Sequence, residues 1–128
     1  MTTRASGSFE VKMAPLATDA PTLGRMSLDK TYHGDLEAVS KGEFLGMGTP
    51  GSGSAGYVAM ERVNGKLEGR SGTFALQHSG AMKRGDTQYS VTVVPGSGTE
   101  ELAGLEGKLS ITIVDGKHFY DLEYTLEA

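Results

Sequence analysis

The chain has 128 residues and a formal net charge of −4 at pH 7, with 19 glycines and no cysteine or tryptophan. Its length fits one domain, which we expect to span residues 1–128, with a core over about 6–126 and a flexible segment at 1–5. The lack of cysteine excludes disulfides and cysteine-ligated metals, and the acidic balance argues against a surface for nucleic acid or anionic membranes.

Neither a membrane-spanning segment nor a secretory signal is visible. No stretch is apolar enough to cross a bilayer as a helix. The first residues lack the apolar centre of a signal peptide. We therefore expect a cytoplasmic location and no membrane partner.

Apolar and polar residues alternate with a period of two along most of the chain, as is typical of half-buried strands. Helical periodicity is limited to one short turn that begins at Thr99. The predicted strands cover residues 6–14, 22–32, 33–47, 55–63, 66–78, 87–95, 106–114 and 117–127.

Three polar residues at the start of the third predicted strand resemble a set of metal ligands. His33, Asp35 and Glu37 share one strand face. However, Tyr32 and Leu36 belong to the apolar face, so the polar set is expected in solvent. We predict no metal site.

Two literal GxGxxG strings, at residues 46–51 and 51–56, resemble a dinucleotide fingerprint. That fingerprint needs a preceding strand and a following helix. Pro50 interrupts the first string, and the second continues into a strand-like segment. We interpret the region as a loop at one mouth of the fold and predict no cofactor.

Asn64-Gly65 lies between two strand-like runs and predicts a two-residue hairpin turn. Counting outward from it places Glu61 opposite Glu68. The inward face of this hairpin stays open. If Tyr57, Ala59 and Glu61 face inward, Glu61 is a candidate catalytic base; if Val58, Met60 and Arg62 do, Arg62 caps the rim as a ligand-binding residue.

Residues 94–99, Val-Pro-Gly-Ser-Gly-Thr, resemble an anion-binding nest before a short helix. They lack the Lys-Ser/Thr ending of a P-loop. Glu100 and Glu101 would repel phosphate and instead favour the start of the helix. We interpret the segment as a structural turn.

Asp115-Gly116 predicts a second hairpin turn. Counting outward pairs Val114 with Lys117 and Leu109 with Leu122. The face predicted to point inward carries Leu109, Ile111, Ile113, His118, Tyr120, Leu122 and Tyr124.

Short antiparallel strands joined by tight turns favour an up-and-down barrel or a sandwich. The high glycine content favours the barrel, because closing a sheet uses glycine bends and bulges. We predict an all-β fold, a single closed antiparallel barrel of about eight strands.

Two histidines fall on inward faces: His78 continues the apolar series of Phe74 and Leu76, and His118 faces inward on the last hairpin. Two interpretations remain open. The histidines are core residues hydrogen-bonded to tyrosines or backbone, or they form a polar patch that orients a ligand or transfers a proton.

Three segments carry a resemblance to a known family. They are Tyr57–Gly80, with Tyr-Val-Ala-Met-Glu-Arg at its start, Val94–Thr99, and His118–Tyr124. Together they resemble the bacterial domain of unknown function 3224, over about residues 6–126. The resemblance implies a closed barrel similar in fold to allene oxide cyclase, a barrel type associated with small lipophilic molecules in the lumen. It carries over no catalytic residues.

Three functions are compatible with these patterns. The first is a barrel that binds a small, mostly apolar molecule in its lumen. The second is a cofactor-free isomerase, cyclase or lyase that uses acid/base chemistry. The third is a structural or interaction protein whose filled barrel packs into a homo-oligomer. The candidate catalytic residues are Glu61 and His78, and the candidate ligand-binding residues are Tyr57, Arg62, Tyr89, His118, Tyr120 and Tyr124.

Overall fold

The computed structural model describes residues 2–19, 23–49 and 53–126. Its strands follow one another round a closed barrel, each antiparallel to its neighbours, and β1 pairs with β8 to close it. This confirms the predicted fold. The elements are β1 (Thr3–Pro15), β2 (Leu23–Gly34), β3 (Leu36–Thr49), β4 (Ser54–Leu67), β5 (Arg70–Lys83), β6 (Asp86–Val93), a 3₁₀ turn (Glu100–Leu102), β7 (Leu105–Val114) and β8 (Lys117–Leu126).

The β7–β8 hairpin has the predicted register. Val114 pairs with Lys117 and Leu109 with Leu122. Asp115 and Gly116 both have positive φ, at 50° and 78°, as a two-residue type I′ turn requires. The predicted inward face is buried in the part of the hairpin away from the turn, whereas Ile113 near the turn is 63% exposed.

The predicted turn at Asn64-Gly65 is wrong. Both residues lie inside β4, and the turn to β5 is made by Glu68 and Gly69, whose φ angles are 48° and 85°. This register pairs Val63 with Phe74, both buried, whereas a turn at 64–65 would set Glu61 against Glu68. Burial of the apolar face therefore outweighs the local turn signal.

The end of the barrel that holds the β2–β3 and β4–β5 turns is closed. Leu102 of the 3₁₀ turn is fully buried there. The segment before it runs beside β5, where Ser97 Oγ accepts a hydrogen bond from Ala75 N at 3.0 Å and Thr99 Oγ1 accepts one from Thr73 N at 3.0 Å. The interpretation of residues 94–99 as a structural turn is confirmed.

At the opposite end of the barrel, strands β6 and β7 are less extensively paired. Among the described residues, β6 and β7 pair at one position, Thr92 with Lys108. Tyr89 makes a second link, because its hydroxyl accepts a hydrogen bond from Ile111 N at 3.0 Å and donates one to Ile111 O at 3.2 Å. The tip of the β7–β8 hairpin is therefore held to β6 mainly by a side chain.

Two further expectations concern segments of the chain. Residues 3–5, expected to be flexible, instead begin β1; Thr3 pairs with Tyr124 and Ala5 is fully buried. Residues 46–49 of the first GxGxxG string lie on β3 and residues 54–56 of the second lie on β4, whereas residues 50–52, at the centre of the predicted loop, are outside the described residues. No helix in the described ranges is long and apolar enough to cross a membrane.

Candidate functional site

The half of the lumen near the open end contains a cavity of about 370 Å³. Its walls are mostly aliphatic and aromatic, and two of the residues that line it, Lys30 and His78, carry buried polar groups. The lining residues are Phe9, Val11, Met13, Leu28, Lys30, Phe44, Tyr57, Ala59, His78, Tyr89, Ile111, Ile113 and His118.

Behind Lys30 and His78 lies a buried carboxylate, Glu61, which is 2% exposed. Each of its oxygens meets two donors. Oε2 lies 2.8 Å from Lys30 Nζ and 2.5 Å from His78 Nε2. Oε1 lies 2.6 Å from the Tyr32 hydroxyl and 2.8 Å from Ser40 Oγ. All five residues are buried, so the carboxylate is compensated by protein donors instead of water.

Four consecutive strands supply these groups. Lys30 and Tyr32 lie on β2, Ser40 on β3, Glu61 on β4 and His78 on β5. Every second residue of a strand faces the lumen, and each of these five occupies an inward position. Lys30 and Ser40 are direct partners across β2 and β3.

The register on both sides of β4 brings the acid and the histidine together. Glu61 pairs with Gly42 on β3 and with Leu76 on β5. His78 pairs with Ala59, which precedes Glu61 on the same face. Glu61 and His78 are therefore diagonal neighbours, a separation that long side chains bridge.

The donors around Glu61 keep it ionised. Burial by itself raises the pKa of the carboxyl, but the hydrogen bond from His78, the charge and hydrogen bond of Lys30 and the hydrogen bond from Tyr32 together lower that pKa from 4.5 to about 2. Burial, followed by the Glu61 charge, raises the pKa of Tyr32 well above its usual value. Tyr32 is therefore a phenol that donates to a carboxylate at neutral pH.

The ionised state of Glu61 fixes the tautomer of His78. An ionised carboxylate only accepts hydrogen bonds, so Nε2 of His78 carries a hydrogen and donates it to Glu61. Within the described ranges, Nδ1 has no hydrogen-bond partner. In a neutral ring Nδ1 is a basic lone pair.

Lys30 also has hydrogen-bond donors that no described residue accepts. Its ammonium group has three N–H donors, and within the described part of the chain it makes one hydrogen bond, to Glu61. The nitrogen lies 4.9 Å from the centre of the Phe9 ring and 5.8 Å from that of Tyr32, which adds cation–π attraction. The cavity floor thus offers N–H donors from Lys30 and one ring nitrogen from His78.

Among the residues predicted from the sequence, four line this cavity: His78, His118, Tyr57 and Tyr89. Glu61 faces inward but lies behind the cavity wall, with its side chain 0% exposed. Because its oxygens are occupied and its pKa is low, it does not fit the role of a base that removes a proton from a ligand.

Arg62 is exposed on the outer face of β4. The alternative in which Val58, Met60 and Arg62 face the lumen is therefore wrong, because Ala59, Glu61 and Val63 are the buried set. The side chain of Arg62 points away from the lumen, so it does not contact a molecule bound there.

Tyr120 and Tyr124 face inward as predicted, but both lie in the closed half and support the fold. The Tyr120 hydroxyl accepts a hydrogen bond from Leu36 N at 2.8 Å and donates one to His33 O at 2.9 Å. The Tyr124 hydroxyl donates to the Glu68 carboxylate. Burial, together with that hydrogen bond and the Glu68 charge, raises the pKa of Tyr124 to about 12.

The predicted solvent face of His33, Asp35 and Glu37 is confirmed, since all three residues are exposed. His33 Nε2 lies 2.6 Å from Glu10 Oε1 on the outer surface. Within the described ranges, no group of three or more acidic or histidine residues is arranged to hold a metal ion.

The sequence pattern contained signals for two residues of the site, Lys30 and Ser40, that we did not predict as site residues. Lys30 lies between Leu28 and Tyr32 on the inward face of β2, and Ser40 follows Ala38 on the inward face of β3. A lysine at an inward position of an apolar series needs a buried partner. That requirement points to a carboxylate elsewhere in the lumen.

The comparisons with known proteins agree with the fold. A family model described as "Protein of unknown function (DUF3224)" matches residues 5–124. The chain is also similar to a crystal structure of a DUF3224-family protein of unknown function from Shewanella oneidensis MR-1. The two are 47% identical with a TM-score of 0.94, and the match covers 100% of this chain and 99% of that chain. No curated protein matches this sequence.

Proposed function

Since this chain belongs to the DUF3224 family, whose function is unknown, we propose a function from the cavity itself. The barrel binds a small, mostly apolar molecule that carries one neutral oxygen acceptor, such as a ketone. The observation that carries the proposal is the combination of apolar walls with the donor groups of Lys30 at the floor.

The size and lining of the cavity suit such a molecule. Its volume of about 370 Å³ lies in the lower part of the range of roughly 300–1,000 Å³ found for small-molecule sites. Met13, Tyr89 and Ile113 line it and are at least two-fifths exposed, which gives an apolar molecule a path from solvent. A barrel filled by its own side chains, as the interaction hypothesis requires, would leave no such volume.

Charge at the floor favours a neutral acceptor over an anion. Lys30 and Glu61 form a buried ion pair whose net charge is zero. An anionic ligand beside them would leave one uncompensated negative charge in a medium of low dielectric, which is costly. A carbonyl oxygen accepts a hydrogen bond from Lys30 and adds no net charge.

The proposal is tested by calorimetric titration with two probes of nearly the same shape. 2-Acetylnaphthalene has a carbonyl group where 2-isopropenylnaphthalene has a methylidene group. We expect both to bind, and the ketone about tenfold or more tightly, because a hydrogen bond from a charged donor contributes about 1.5–3 kcal/mol. Failure of the ketone to bind, or equal affinity for both probes, contradicts the proposal.

Neighbouring residues on β4 supply a matched pair of variants. Ala59 lines the cavity and is 4% exposed, whereas Val58 lies on the outer face and is 52% exposed. Ala59→Phe should fill the cavity and abolish ketone binding, and Val58→Phe should leave it unchanged. Equal effects of the two substitutions would place the probe outside the lumen.

A further inference from the structure

We propose that the cavity floor catalyses proton transfer on a bound ketone. His78 Nδ1 removes a hydrogen from the carbon beside the carbonyl group, Lys30 stabilises the resulting enolate oxygen, and Glu61 positions His78. The inference rests on the proposed binding function and assigns that site a substrate class, small ketones with a hydrogen on the adjacent carbon.

The position of His78 is that of a general base with a supporting carboxylate. Nε2 donates to Glu61 Oε2 at 2.5 Å, and this contact orients the ring and fixes its tautomer. Nδ1 is then the basic nitrogen, and its residue lines the cavity. A carboxylate behind a histidine acts in the same way in hydrolase triads, where it stabilises the imidazolium that forms.

Lys30 lies beside the same carboxylate oxygen. Its nitrogen is 2.8 Å from Glu61 Oε2, and the His78 nitrogen meets that same atom. The two side chains are therefore close enough to reach one carbonyl group together. Donors that are already oriented in a water-poor site stabilise developing oxyanion charge strongly.

The charge balance favours the reaction at this site. Before proton transfer, the charges of Lys30 and Glu61 compensate each other, and the form of His78 that acts as the base is the neutral ring. After transfer, an imidazolium and an enolate are added, one positive and one negative. Each new charge has an opposite partner, because the imidazolium contacts Glu61 and the enolate contacts Lys30. The site therefore remains neutral throughout, which avoids the cost of an unpaired buried charge.

The step needs no other reactant. The carbon–hydrogen bond breaks, its electron pair forms the carbon–carbon double bond of the enolate, and the carbonyl electrons move to the oxygen beside Lys30. The proton passes to His78 Nδ1. Its return to the same carbon regenerates the ketone, and its return to a conjugated carbon gives an isomer.

Hydrogen–deuterium exchange tests this directly. 2-Acetylnaphthalene is dissolved in deuterated buffer near neutral pH with the intact chain at saturating ketone, and loss of the methyl signal is followed by proton NMR. We expect exchange at least tenfold faster than in buffer alone. At a ketone concentration near its Kd, a large excess of 2-isopropenylnaphthalene should slow the exchange, because the hydrocarbon occupies the same cavity. This competition uses the unaltered chain and needs no variant.

Variants separate the roles of the three residues. His78→Gln keeps a donor for Glu61, and it should still bind the ketone while exchange falls to the buffer rate. Glu61→Gln should slow exchange at saturating ketone about tenfold or more while the Kd of the ketone changes less than threefold. A purely structural role of Glu61 would weaken binding and exchange together. Val58→Phe is the control and should match the unaltered chain.

The experiments distinguish a failure of ketone binding from a failure of proton transfer. If the ketone does not bind, the proposed function and this inference both fail. If it binds but exchanges at the buffer rate, only the inference fails. Exchange that persists in folded His78→Gln, or that the hydrocarbon does not slow, also overturns the inference, because the proton is then removed elsewhere.

Discussion

Glu61 on β4 and His78 on β5 meet at 2.5 Å across a diagonal of the β4–β5 pair. The contact depends on the register set by the turn at Glu68 and Gly69. A shift by one residue would turn one of the two side chains to the outside of the barrel. The site is therefore a product of strand pairing and not of any local motif.

The backbone beside Glu61 leaves no room for a side chain on the neighbouring strand. A Cβ atom added to Gly42 would lie 1.9 Å from Met60 O and 2.7 Å from Glu61 Cα. Gly42→Ala should therefore lower the free energy of unfolding by about 2 kcal/mol or more. Gly24→Ala is the control, because its nearest contact would be at 3.6 Å. Urea denaturation of both variants measures the difference; equal stability would contradict the close approach of β3 and β4.

The buried ion pair of Lys30 and Glu61 has an exposed counterpart on the outer face. Lys41 Nζ lies 3.4 Å from Asp29 Oδ1, with the lysine side chain 87% exposed. Lys30→Met should cost about 3–5 kcal/mol of unfolding free energy, because it leaves a buried carboxylate without its cation. Lys41→Met should cost less than about 1 kcal/mol. Thermal and urea unfolding compare the two, and similar losses would show that the Lys30 pair is not buried.

Part of the loss of stability in acid should come from protonation of Glu61. The folded state lowers the pKa of this group from 4.5 to about 2, so its contribution is fully present above about pH 5. It is lost as the pH falls through 4.5 towards 2, because the unfolded chain then binds the proton more readily than the folded chain does. The contribution is on the order of 3 kcal/mol. Urea titrations between pH 2 and 7 should show this slope.

A matched acid variant identifies the source of that slope. Glu61→Gln should be less stable at pH 7 and should lose little further stability between pH 5 and 3. Glu106→Gln replaces an exposed carboxylate on β7 and should keep the slope of the unaltered chain. A slope that survives in Glu61→Gln would assign the acid sensitivity to other carboxylates.

Tyr89 should hold the β7–β8 hairpin tip to β6. Its hydroxyl bonds both backbone groups of Ile111, so Tyr89→Phe removes the acceptor of the Ile111 amide hydrogen. We expect faster amide exchange at Ile111, measured by NMR. Tyr57→Phe is the control, since the Tyr57 hydroxyl makes no hydrogen bond to the described residues. Unchanged protection of Ile111 in Tyr89→Phe would show that strand pairing alone holds the tip.

The sequence predicted the barrel because strand alternation and tight turns are local patterns. The eight strands and the register around Asp115-Gly116 follow from them, and so does the inward direction of His78. The face of β4 could not be predicted, because the buried Ala59 and Glu61 alternate with Val58 and Met60, which are more apolar and yet exposed. Burial of Val63 against Phe74 decides that face, and it is a contact between strands.

The group of buried polar side chains around Glu61 was not predicted, for a related reason. Alternation places Lys30 and Ser40 inside, but their partner Glu61 is 31 and 21 residues further along the chain. Their contacts with Glu61 depend on two strand registers, β2 with β3 and β3 with β4, and the contact of His78 with Glu61 depends on the β4–β5 register, which follows the turn that the sequence signal misplaced. The unusual residue, a lysine on an apolar face, was visible; its partner was not.

The most direct test of the proposed binding site is a crystal structure of the chain with 2-acetylnaphthalene bound. The aromatic rings should lie between Phe44, Tyr57 and Ile111, with the carbonyl oxygen within about 3.2 Å of Lys30 Nζ. A ketone bound outside the lumen, or inside it with its oxygen directed away from Lys30 towards the mouth, would contradict the proposed binding site.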